Sequence, residues 1–95
     1  MKPLKTILSE EQLKDLASRS NFRYGQAIAE DGDVTVLKSD TFNLVARVKH
    51  ANGEARTVEL MSTPKGFRYR CTCTSRKDLF CKHCVAVGLN SLKAV

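Results

Sequence analysis

The chain has no long hydrophobic run. Its longest uninterrupted apolar stretch is six residues, Cys84 to Leu89, against the roughly 18–20 that a membrane-spanning helix needs. Nor does an export signal open it. Met1-Lys2-Pro3-Leu4-Lys5 turns acidic at Glu10-Glu11 without an apolar core between them, so the expected compartment is the cytoplasm. Internal repeats, low-complexity stretches and linkers are lacking too, and the 95 residues read as one domain, 1–95. With 42% hydrophobic and 27% charged residues, that domain is globular rather than disordered. The sequence also lacks a Gly-Lys-Ser/Thr phosphate loop, a Ser–His–Asp arrangement and a carboxylate pair placed for acid–base work. Neither enzymatic activity nor a small-molecule substrate is expected.

Negative charge is scarce in one place only. The formal net charge is +6, yet basic and acidic residues cancel over positions 1–63. Residues 64–95 carry Lys65, Arg68, Arg70, Arg76, Lys77, Lys82 and Lys93 against Asp78 alone. The excess favours an anionic partner. All four cysteines, Cys71, Cys73, Cys81 and Cys84, fall in the same segment.

The hydrophobic periodicity predicts an α+β fold: two N-terminal helices, an antiparallel sheet of about four strands, and a knuckle leading into a C-terminal helix. Ser9-Glu10-Glu11-Gln12 has the spacing of a capping box, with Leu8 and Leu13 placed as a hydrophobic staple, and starts a helix over about 10–19. A second helix, about 22–31 with Phe22, Ile28 and Ala29 inward, ends at Gly32. These form a helical part, 1–32. Over 33–70 the period becomes 2. Strands are expected at 34–37, 42–50, 55–61 and 67–72, with a turn at Lys38-Ser39-Asp40 and another at Thr63-Pro64-Lys65-Gly66.

Ala51-Asn52-Gly53 marks a hairpin. A two-residue loop would mix polar and apolar side chains on both faces. A three-residue loop with Gly53 left-handed pairs Leu44 with Leu60, Ala46 with Val58 and Val48 with Arg56, which leaves one face mostly apolar. His50, at a strand end, reads as a surface residue. The last part, 71–93, holds the cysteines and a helix from about His83 to Lys93, with Val85, Leu89 and Leu92 inward.

Cys71-Thr72-Cys73, seven residues, then Cys81-Lys82-His83 reads C-x-C-x7-C-x-H. Two close pairs of soft donors joined by a loop suit one tetrahedral Zn²⁺ in a structural role. One pair leaves a strand and the other enters a helix, whose N-terminal amides favour a thiolate. The cysteines alone also permit disulfides, an iron–sulfur site using C-x-C-x7-C-x2-C, or reactive thiol chemistry. Spacing leaves His83 and Cys84 as rivals for the fourth zinc position.

The C-x-C-x7-C-x-H pattern, with Lys82 between the last pair and the small apolar helix Cys84-Val85-Ala86-Val87-Gly88-Leu89 after it, resembles the prokaryotic type of SWIM zinc finger. Phe22 to Ala27 and Glu30 to Val34 resemble the helix, Gly and strand that often precede it. The resemblance is close over about 67–90 and weaker over 21–66. Thr74 stands where the family often has Pro, and Cys84 is an additional cysteine. The resemblance implies that Cys71, Cys73, Cys81 and His83 are the ligands, and it implies binding to DNA or to protein rather than catalysis. SWIM domains occur in Swi/Snf-type ATPases, transposase-related proteins and ubiquitin-ligase-like proteins.

On an extended strand Phe67, Tyr69 and Cys71 point one way, into the core, while Arg68 and Arg70 point the other. Lys65, Arg68, Arg70, Arg76, Lys77 and Lys82 are therefore the candidate phosphate contacts for a nucleic acid, DNA first. The competing expectations are that they are solvated surface charges, or that the domain is a protein-interaction adaptor, accessory to a Swi/Snf-type ATPase.

Overall fold

The computed structural model describes residues 2–49, 53–73 and 79–93. Among these the order is α1 (Leu4–Ile7), α2 (Glu10–Leu16), α3 (Arg19–Glu30), β1 (Val34–Ser39), β2 (Asn43–Lys49), β3 (Ala55–Thr63), β4 (Gly66–Cys71) and α4 (Lys82–Lys93). The strands form one antiparallel sheet in sequential order. α4 packs on the sheet, with α3 and α2 against it. This is the expected α+β architecture.

The sheet register is the one that segregates its faces. Leu44 pairs with Leu60, Ala46 with Val58 and Val48 with Arg56, and Gly53 takes φ 90°. Its neighbours Ala51 and Asn52 lie outside the described residues, as does His50. Leu44, Ala46, Val48, Val58 and Leu60 are buried on the inner face, continued by Cys71, Phe67 and Tyr69. Sequence placed the first turn too early. β1 runs on to Ser39, and Asp40 makes the turn, its carboxylate accepting from the backbone N–H of Phe42 (2.9 Å) and Asn43 (2.8 Å). Leu37 is the extra residue of a bulge in β1.

The helical part departs from the expectation in two places. An additional short helix, α1, buries Leu4, and the chain after it buries Leu8. It is tied to the sheet by Leu4 N–H donating to Thr41 O (2.8 Å) and by the Ser62 hydroxyl donating to Lys2 O. The break between α2 and α3 also falls earlier. Ser9 caps α2 as expected, accepting from Gln12 N–H at 3.1 Å, but Ser18 performs the same service for Asn21. α2 therefore stops at Leu16 and α3 starts at Arg19. α3 ends as expected at Gly32, φ 75°, where Gly32 N–H reaches Ala29 O and Asp33 N–H reaches Ile28 O, the pairing of a Schellman cap.

α3 and α4 approach closely because α3 has Gly25 at the contact. A Cβ there would stand 2.5 Å from Val85 Cβ and 2.6 Å from the Lys82 carbonyl oxygen. α4 is enclosed more fully than an amphipathic pattern predicts. His83 to Gly88 are all buried, while Leu89 and Leu92 are only partly so.

Candidate metal centre

Cys71 is the last residue of β4, and Cys73 follows in the turn. Thr72 between them stays stitched to β3: its N–H donates to Thr57 O (3.1 Å) and its hydroxyl accepts from Thr57 N–H (3.0 Å). The C-x-C unit is thus an extension of the sheet rather than a free loop. The second pair is set by α4. The Cys81 carbonyl accepts from Val85 N–H at 3.1 Å, which makes Cys81 the residue flanking the helix and puts His83 in its first turn.

Phe80, before Cys81, anchors this entry. It is fully buried, edge-on to Tyr69 (centroids 4.8 Å, planes at 90°) and 6.2 Å from Phe67. The sequence reading missed it. Its partners lie on a strand eleven or more positions away, so local pattern carries no signal for the contact.

The four donor atoms of Cys71, Cys73, Cys81 and His83 all lie within 4.8 Å of one another. Cys73 Sγ is 3.5 Å from Cys81 Sγ, and His83 Nδ1 is 3.6 Å from both Cys71 Sγ and Cys81 Sγ. A tetrahedron with zinc–sulfur bonds of about 2.3 Å and zinc–nitrogen of about 2.1 Å has edges of about 3.8 Å and 3.6 Å. The cluster has the size and the donor chemistry to hold one metal ion. Three of the four residues are buried, His83 at 3% exposure, and Cys73 is exposed.

Cys84 stands outside this set, fully buried with its sulfur 3.8 Å from Cys81 Sγ. Its contact with Cys81, and then its burial, push its thiol well above the ordinary cysteine range. Cys71 is pushed up by the same two causes. Cys81 moves the other way, because Cys71, Cys84 and His83 all stabilise its thiolate. Cys84 thus lies beside the four-donor cluster without belonging to it.

Among the described residues, the basic candidates do not gather on one surface. Arg68 and Arg70 are exposed on β4, opposite the face that carries α4. Arg70 is engaged by Glu59 at 2.6 Å. Lys65 sits in the β3–β4 turn, six residues or about 20 Å of strand from Cys71. Lys82 lies on the helical side, its ammonium 5.7 Å from the centroid of the Tyr24 ring. Arg76 and Lys77 lie outside the described residues, as does Thr74.

No family model matches the chain, and neither a curated protein nor a solved structure matches it. No helix among the described residues is long and apolar enough to cross a membrane.

Proposed function

We propose that the domain is a SWIM-type module in which one structural Zn²⁺, held by Cys71, Cys73, Cys81 and His83, braces a surface that binds nucleic acid. The observation that carries the reading is the Cys₃His cluster at the junction of β4 and α4, its four donor atoms within 4.8 Å of one another. Four protein donors complete a zinc shell, the arrangement of structural rather than catalytic zinc. The basic excess of residues 64–95, with Lys65 and Arg68 exposed, supplies the attraction for phosphate.

Binding of the zinc-loaded protein to a DNA oligomer, titrated with salt, tests this. Affinity is expected to fall steeply, each neutralised phosphate adding about 0.9 to the magnitude of the log–log slope on duplex or about 0.7 on single strands. Arg68→Glu weakens binding on every sequence alike. Affinity unmoved by salt overturns the proposal.

One observation favours a second reading, a protein-interaction adaptor. β1 is an edge strand with Val36 and Leu37 exposed by 45% and 48%, a surface that could pair with another chain. A partner retained after nuclease treatment and by Arg68→Glu would support it.

A further inference from the structure

Tyr24 is the most exposed of the large hydrophobic side chains among the described residues, with 62% of its surface open. The other tyrosine, Tyr69, is packed with Phe80 and Phe67 on the inner face of the sheet. Tyr24 is not a stray surface residue, because a cation from another helix is placed at its ring. The Lys82 ammonium lies over its ring at 5.7 Å, a cation–π distance. Arg19 and Arg23 are exposed on the same helix, one turn apart, with no ion pair among the described residues. Ser20 and Ala27, one turn before and after Tyr24, are exposed and small, so neighbouring side chains do not fill the space around the ring.

The platform is also coupled to the metal centre. Gly25, the next residue, seats α3 directly on Lys82 and Val85. Lys82 stands between Cys81 and His83, two members of the ligand cluster. The turn that presents the ammonium to Tyr24 is therefore the turn a bound metal would hold. An aromatic ring beside an ammonium suits a nucleobase with its phosphate. It suits an unpaired one, because a helix surface cannot reach the faces of bases stacked within a duplex.

We infer that Tyr24, with the Lys82 ammonium over its ring, stacks an unpaired base of a single-stranded nucleic acid. The inference rests on the nucleic-acid reading above and narrows it to a single strand and to one contact.

The test compares two probes on the zinc-loaded full chain at a single salt concentration: a deoxythymidine oligomer, and an abasic deoxyribose-phosphate oligomer of equal length. Both carry the same phosphates, so only stacking separates them. The thymidine oligomer is expected to bind about tenfold more tightly. It should also quench tyrosine fluorescence, which comes from two tyrosines with no tryptophan present. Tyr24→Ala should remove the tenfold difference, and Tyr24→Phe should keep it.

Equal affinity for the two oligomers overturns the stacking inference while leaving phosphate binding intact. A difference that survives Tyr24→Ala overturns it too. If neither oligomer binds, the nucleic-acid reading falls and the stacking inference falls with it.

Discussion

Cys84 and His83 are adjacent, both buried at the start of α4, and it is the His83 donor that lies within 4.8 Å of the other three ligand atoms. Sequence left the pair as rivals because spacing constrains reach, not direction. On a helix, neighbouring side chains point about 100° apart, and that rotation separates a ligand from its partner. The consequence is testable by zinc content after dialysis against a weak chelator. Cys84→Ala is expected to retain one zinc per chain, and His83→Ala to lose most of it. Loss in the Cys84 variant alone would transfer the fourth position to Cys84. The cysteines themselves were legible because their chemistry is local, a short spacing at a change of secondary structure. Phe80 and Tyr24 were not, since what defines each is a ring or an ammonium brought from another element.

Among the elements, the β2–β3 hairpin was readable down to its register, because only one alignment places Leu44, Ala46, Val58 and Leu60 on a common face. The helix boundaries were less so. Ser18 and Ser20 are both competent caps, and α1 is a single turn too short to show a period. The α3–α4 contact was not read from the sequence, and Gly25 decides it. Gly25→Ala forces a methyl against Val85 and a backbone carbonyl at 2.5–2.6 Å, so a cost of about 1–3 kcal/mol is expected from overpacking. Denaturant unfolding measures it. An alanine variant as stable as the parent would mean the helices separate freely.

The β1–β2 turn makes a second element-scale case. Two backbone N–H groups donate to Asp40, holding its carboxyl below the ordinary 3.8. The folded state therefore releases this proton more readily than the unfolded chain. The turn's contribution is whole above pH 3.8 and is lost as pH falls through the lower, folded value. Asp40→Ala should be less stable than the parent near neutrality, with the gap closing in acid. Any loss of a bound metal at low pH would be common to both chains, so their difference isolates Asp40.

For the molecule as a whole, the candidate metal centre is part of the core rather than an attachment to it. Cys71, Cys81 and Cys84 belong to the same buried cluster as Leu13, Leu60, Phe80 and Val85, and His83 is enclosed beside them. A chain of 95 residues buries only about 60–65% of its unfolded surface, which leaves little stability in reserve. Without a metal, the end of β4 and the start of α4 would be held together by side-chain packing alone. Structural zinc contributes on the order of 10 kcal/mol to the folded state, comparable to the entire net stability of a small domain. Removing the metal with a strong chelator is therefore expected to abolish the cooperative thermal transition, and restoring Zn²⁺ to recover it. Near-ultraviolet dichroism should follow the same course, because Phe80, Tyr69 and Phe67 pack next to the ligands. If the transition persists unchanged after chelation, the core suffices alone, and the cluster's role in holding the fold is refuted even if it binds zinc.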